Sequence, residues 1–232
     1  MADATTTDVL LARFLLIRHG ESNVMVDGMV GGPKTCSGLS DRGRAQAERL
    51  GARFASGSEN SIEIAYTSPL PRAVETTEIV LSSGSLNLDI NVHVDLEEFR
   101  LGEADGLTWE EVRTKYDLSN FEQRDPFTPI IPGADSRAGF RHRVAKALSQ
   151  IADQHRGCTI LVGCHGGVIS AAMATAFGLG PNQWHTELAP TVTSITELEI
   201  LTSAVRGRRW LCRRYNDSAH LHGTDLDLRD HL

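Results

Sequence analysis

Phe14-Leu15-Leu16-Ile17-Arg18-His19-Gly20-Glu21-Ser22 decides the fold. Its four successive apolar residues are too few for a helix of ordinary length, and polar residues stand on both sides. That pattern suits a strand buried on both faces of a parallel sheet. Arg18 and His19 then stand where the strand ends, and in open α/β sheets the ligand crevice lies outside the carboxyl ends of the strands. Gly20 lets the chain turn sharply beside them and leaves room for a close ligand. Arginine holds phosphate oxygens through a planar fork of donors and stays charged, while a neutral imidazole nitrogen can attack phosphorus. The pair therefore points to phosphoryl transfer. A solvated strand-end charge beside a structural histidine is the plainer alternative, and the rest of the chain decides between the two.

Working outward, the run Cys158 to Gly163 is the second short apolar stretch, and it also ends on a histidine and glycines, Cys164-His165-Gly166-Gly167. The helix expected after it, Val168 to Phe177, opens on small residues, so its start can approach a ligand closely. On the other side of the first strand, Asn23 to Gly38 reads as a loop with Gly-Gly-Pro at 31 to 33, placed to touch substrate. Ser40 or Asp41 caps a helix running to Phe54. A β-rich run, Ile62 to Thr67, leads to Ser68 as an expected helix cap with Pro69 in the first turn, which puts Arg72 near exposed N–H groups where a phosphate is well received.

Ile90 to Val94 reads as a further strand, followed by an acidic stretch in which Glu98 is either plain surface or a general acid. Thr108 and Glu111 match a capping box. Asn120 to Gly133, with three prolines, reads as a loop, and the longest helix starts at Asp135 or Ser136, with Arg137, Arg141, His142 and Arg143 expected mostly on its solvated face. Thr191 to Ile200 and Arg209 to Tyr215 read as two late strands. Strands alternating with helices imply an α/β three-layer sandwich, a mainly parallel sheet flanked by helices. A single domain over residues 1–232 is expected, with residues 1–12 and 223–232 as mobile tails.

At 41% apolar and 23% charged residues the composition is that of an ordinary soluble protein, and no run approaches the length needed to span a bilayer. The net charge of −7 argues against nucleic acid as the main partner, and the N-terminus lacks a basic region followed by an apolar one, so a cytoplasmic protein is expected. The four cysteines, Cys36, Cys158, Cys164 and Cys212, form no Cys-x-x-Cys pair, which argues against a structural zinc or a disulfide framework. Cys164 directly precedes His165, but nothing in the sequence marks it as an activated thiol. No Gly-x-Gly-x-x-Gly or Walker motif is present, which disfavours a nucleotide-binding Rossmann or P-loop protein.

Five stretches taken together resemble the histidine phosphatase superfamily, also called phosphoglycerate mutase-like: Leu16-Ile17-Arg18-His19-Gly20-Glu21-Ser22, Leu39-Ser40-Asp41-Arg42-Gly43, Tyr66-Thr67-Ser68-Pro69-Leu70-Pro71-Arg72, Leu96-Glu97-Glu98-Phe99-Arg100-Leu101-Gly102, and Cys164-His165-Gly166-Gly167. They run in the expected order from about Phe14 to Leu221. The resemblance implies that His19 is the nucleophile that becomes phosphohistidine. It further implies that Arg18, Arg72 and His165 surround the phosphoryl group, with Ser22 and Gly166 in the substrate site, and that Glu98 protonates the leaving alcohol. It calls for no metal and no cofactor. It departs at Met25, which stands where the family often has an asparagine, with Asn23 two places earlier.

The stretch after Glu98 lacks the Asn-Glu-Arg-His-Tyr-Gly pattern and the long basic insertion usual in the family's mutases, and the late strands are similar to the phosphatase branch. A phosphomonoester phosphatase acting on a small phosphorylated metabolite is therefore the leading expectation. A cofactor-dependent phosphoglycerate mutase comes second, and a non-catalytic phospho-ligand-binding module third. A symmetric homodimer is compatible with all three.

Overall fold

The computed structural model describes residues 7–57, 59, 61–119, 123–180 and 188–227. Residues 1–6 and 228–232 of the expected tails, and Asn120 to Glu122 of the expected loop, lie outside them.

Six strands form one sheet in the order β3-β2-β4-β1-β5-β6: β1 (Val9–Arg18), β2 (Ile64–Thr67), β3 (Ile90–Val92), β4 (Thr159–Cys164), β5 (Ile195–Ser203) and β6 (Gly207–Asp217). The first four in that order are mutually parallel, and β5 runs antiparallel to both β1 and β6. β1 and β4, the two strongest apolar runs, pair in register from Arg13 opposite Thr159 to Arg18 opposite Cys164. The two histidines that follow them are thereby brought side by side at one end of the sheet.

The pleat sends alternate residues of β1 to opposite faces. Phe14 and Leu16 join a core with Val144, Leu148 and Ile151 of α5 (Arg137–Gln154) and Val168 and Ile169 of α6 (Gly166–Ala176). Leu15 and Ile17 join a second core with Ala47, Leu50 and Phe54 of α2 (Asp41–Ala55) and Val80 and Leu81 of α3 (Pro71–Ser83). Three layers result, as the sequence implied. Leu16 is fully buried, so Leu16→Ala is expected to cost about 2–5 kcal/mol of stability, measured as a lowered urea midpoint with an unchanged denaturant slope.

Beyond the helices, the α2–α3 face of the sheet continues under charge. Glu197 and Glu199 of β5 point there and pair with Arg13, Arg213 and Arg214, while Glu59 and Asp217 pair with Arg53 and Arg214. Four arginines and four carboxylates thus cover β5 and β6 where, among the described residues, no helix does.

Several boundaries differ from the sequence reading. β1 begins at Val9, inside the expected tail, because Val9 to Ala12 pair with β5. The described start of the other expected tail is also held, since the Leu226 carbonyl accepts the Gln46 side-chain amide at 2.9 Å. The loop after Ser22 opens with one helical turn, α1 (Asn23–Val26). The cap of α3 is Leu70 with Pro71 in the first turn, which frees the Ser68 hydroxyl for another partner. β3 stops at Val92, and β5 starts at Ile195 because Thr193 takes a left-handed conformation, φ 53°. Ser40, Thr108 and Ser136 cap their helices as expected, the second in a full capping box at the head of α4 (Trp109–Lys115). Among the described residues no helix is long and apolar enough to cross a membrane.

Candidate active site

The carboxyl ends of β1, β2 and β4, the start of α3 and the start of α6 meet at one end of the sheet. Gly20 is required there by packing: a Cβ would overlap the Gly43 carbonyl in the first turn of α2. A cavity of about 800 Å³ opens above, and Arg18, His19, Ser22, Arg72 and Glu98 contribute to its lining. The structure therefore gathers these five predicted residues in one place.

His19 is buried, and its Nδ1 lies 2.6 Å from the Gly20 carbonyl. A carbonyl only accepts, so Nδ1 carries the proton and Nε2 is left with its lone pair. That lone pair accepts the Nε–H of Arg72 at 3.1 Å, while Arg72 Nη1 donates to the Gly31 carbonyl at 2.8 Å. Burial, together with Arg72 and Arg18, holds His19 well below the ordinary imidazole value, so it is neutral. Arg18 donates through Nη1 to the Pro190 carbonyl at 2.5 Å, and Gly166 lies against its Nε.

His165 caps α6 beside His19, with ring centroids 5.2 Å apart. Its Nε2 lies 2.8 Å from the Ser68 hydroxyl, which also accepts the Leu70 N–H at 3.3 Å. The Ser68 hydroxyl has one proton to give, and where it goes to His165 Nε2 the ring's own proton sits on Nδ1. Burial, Arg72, His19 and Arg18 push His165 well below the ordinary value too. Among the described residues, His165 Nδ1, Arg18 Nε and Ser22 Oγ are buried without a hydrogen-bond partner. Three polar atoms at one site thus await a ligand.

Glu98 reaches the cavity from the loop after β3. Its carboxylate accepts the N–H of Phe99 at 2.8 Å and of Gly167, in the first turn of α6, at 3.0 Å. From α5, Arg143 donates to the carbonyls of Asp95, Glu97 and Glu98 at 3.0, 2.9 and 3.2 Å and to Asp135 at 2.6 Å. Arg143 is thus the clamp of the Glu98 loop, not a solvated charge. Arg137 is buried and Arg141 is bonded to the Gly180 carbonyl, so of the four basic residues expected on the solvated face only His142 is exposed. Burial pushes the Cys164 thiol up, which removes it as a nucleophile.

The five stretches, their order and this convergence agree with the comparisons. The model of the histidine phosphatase superfamily, branch 1, matches residues 14–218. The chain belongs to that family. Phosphoglycerate mutase-like protein 4 of Arabidopsis thaliana is 30% identical over 226 residues, 94% of this chain and 90% of that one. The metal-independent phosphoserine phosphatase of the same plant is 27% identical over 91% of this chain and 84% of its own. The solved structure of Bacillus stearothermophilus YhfR matches with a TM-score of 0.78 at 27% identity, covering 91% of this chain and all of that one.

Within this histidine phosphatase superfamily chain, the sequence missed Ser68 and Arg143. The position of Ser68 before Pro69 reads as that of a helix cap, and only the pairing of β2 with β4 places it on His165. Arg143 sits at helical spacing after Phe140, whose ring its guanidinium also covers at 4.9 Å. Met25, at the departure from the family pattern, lines the cavity, whereas Asn23 turns to the Ser37 hydroxyl at 3.2 Å.

His220 adds a testable pH dependence. Its Nε2 lies 3.0 Å from the Thr193 hydroxyl, and burial, with Arg53 close by, holds it down at about 4. A histidine depressed on folding binds its proton more weakly folded than unfolded, so its contribution to stability is complete above the unfolded value near 6.5 and is lost as pH falls towards 4. The expected slope is on the order of 1.4 kcal/mol per pH unit from this one group. Urea unfolding at pH 7.5 and pH 5.5 should show less acid loss in His220→Gln than in the wild type; equal losses would exclude it.

Proposed function

We propose that the chain is a phosphomonoester hydrolase that works through a phosphohistidine at His19 Nε2, on a small phosphorylated metabolite. The observation that carries this is the fixed protonation of His19, with Nδ1–H on the Gly20 carbonyl and an unprotonated Nε2 that accepts from the guanidinium of Arg72. Nε2 attacks phosphorus as the P–O bond to the leaving alcohol breaks, and Glu98 gives that oxygen a proton. Water then attacks the phosphohistidine, passes its proton to Glu98, and returns the lone pair to Nε2. Arg18 Nε, Ser22 Oγ and His165 Nδ1–H are the donors for the phosphoryl oxygens, and with Arg72 they stabilise the charge of the transition state. Gly166 leaves room beside Arg18. Two guanidinium groups already supply positive charge, so the step is metal-independent. The four free cysteines suit a reducing compartment, and we place the activity in the cytoplasm.

The test is release of inorganic phosphate from p-nitrophenyl phosphate and from 3-phosphoglycerate in EDTA, with an acid quench for labile protein-bound phosphate. Release in EDTA with a transient phosphoenzyme is expected. A long-lived phosphoenzyme from 2,3-bisphosphoglycerate without release would overturn hydrolysis in favour of a mutase, and neither signal would leave a binding module.

A further inference from the structure

The cavity extends well past the phosphoryl end, and its outer wall is mostly carbon. Val24, Met25, Phe99, Leu101 and Trp109 contribute to it. Met25 and Trp109 are 39% and 43% exposed, two of the few large apolar side chains that the described residues leave open to solvent. They are not independent loops. The turn after α1 and the segment before α4 are joined by a bridge between Met29 and Thr108, by Val30 N–H to the Leu107 carbonyl at 2.9 Å, by Gly106 N–H to the Val30 carbonyl at 3.0 Å, and by Trp109 N–H to the Gly28 carbonyl at 3.2 Å. The capping box of Thr108 and Glu111 then fixes Trp109 at the first position of α4. The two side chains therefore belong to one braced wall.

All but one of the charged groups of that wall are already engaged. Arg100 Nε holds Glu97 at 2.6 Å. Asp105 accepts from the N–H groups of Gly32 and Lys34, both at 2.9 Å, and from the Thr35 hydroxyl at 2.5 Å. Glu103 accepts the Tyr116 hydroxyl at 3.4 Å. Lys34 alone among these charged side chains makes neither a side-chain hydrogen bond nor a salt bridge within the described residues. Such a wall offers area for hydrophobic contact and few groups to pair with a polar leaving group.

We infer that Met25 and Trp109 select the leaving group, and that the substrate class is phosphate monoesters of predominantly apolar alcohols rather than of carboxylate-bearing ones such as glycerate or serine. This rests on the hydrolase reading above. The phosphoryl end treats all monoesters alike, so the choice is made where the carbon skeleton meets Trp109 and Met25, and it shows in kcat/KM.

The experiment compares kcat/KM for ethyl, butyl and hexyl phosphate, phosphoserine and 3-phosphoglycerate, in EDTA, for the wild type, Met25→Asn, Trp109→Ser, and Val205→Ser as a variant of an exposed apolar residue away from the cavity. A buried methylene is worth about 0.8 kcal/mol, or roughly fourfold. The wild type and Val205→Ser are expected to favour hexyl over ethyl phosphate by at least about tenfold and to favour both longer esters over phosphoserine. Met25→Asn and Trp109→Ser are each expected to cut the hexyl-to-ethyl ratio by at least about threefold, and Met25→Asn to raise phosphoserine relative to hexyl phosphate. A flat alkyl series, a preference for phosphoserine or 3-phosphoglycerate, or a ratio that both substitutions leave untouched would overturn the inference while hydrolysis itself stands. Absence of release from every ester would overturn the hydrolase reading, and this inference with it.

Discussion

His19→Ala is expected to lower phosphate release by roughly four orders of magnitude or more and to abolish the acid-labile phosphoenzyme. The substitution removes the Nε2 lone pair that Arg72 now faces and the Nδ1–H that the Gly20 carbonyl accepts. Losing that buried hydrogen bond costs about 1–3 kcal/mol, small enough for the variant to stay folded in a chain of this size. Circular dichroism and the urea midpoint separate loss of chemistry from loss of fold. Because burial keeps His19 neutral, the wild-type kcat/KM should show no acid limb with a midpoint near the ordinary histidine value of about 6.5. A limb there, absent from a binding measurement with vanadate or phosphate, would show that His19 ionises freely, and would remove the basis for assigning it the attack.

Glu98→Gln should separate by leaving group. For an alkyl phosphate the leaving oxygen is a strong base and needs a proton, so kcat is expected to fall by about 10²–10⁴-fold; for p-nitrophenyl phosphate, whose phenolate leaves readily, the fall in the first chemical step should be far smaller. Gly167→Ala is a second route to the same group. A Cβ at Gly167 would overlap Glu98 Oε1, and the carboxylate that now accepts the Gly167 N–H must move. The variant should therefore reproduce the leaving-group dependence of Glu98→Gln while keeping every titratable side chain. Equal losses on alkyl and nitrophenyl esters in both variants would mean that Glu98 holds the site together without transferring a proton. Single-turnover release of nitrophenol, read before dephosphorylation, is the measurement that tells the two apart.

Much of the fold and site was readable because its signals are local. A short apolar run cannot be hidden, and the two such runs, each followed within two residues by a histidine, became the neighbouring strands β1 and β4. Arg72 was placed correctly in the first turn of a helix even though the cap itself was assigned to Ser68 rather than Leu70. The signals that failed are those that depend on partners distant in sequence. Ser68 meets His165 across 97 positions, and Arg143 meets the carbonyls of the Glu98 loop across 45 to 48. Neither partner affects its neighbours' periodicity, so both looked like ordinary polar residues. The start of β1 at Val9 was missed for the same reason, since pairing with β5, which lies far along the chain, extends the strand beyond its apolar run.

The charged cover over β5 and β6 has a consequence for how molecules of this protein meet one another. β6 is eleven residues long and borders the sheet, so it presents unpaired backbone groups of the kind that invite strand addition and aggregation. It carries Arg208, Arg209, Arg213 and Arg214, each held in a salt bridge: to Asp153, to Asp8, to Glu199, and to Glu59, Glu197 and Asp217. Charged side chains of this kind blunt an edge, because a strand added beside them must desolvate or break those pairs. Salt weakens exposed pairs, which makes light scattering against ionic strength a sensitive reporter of this edge.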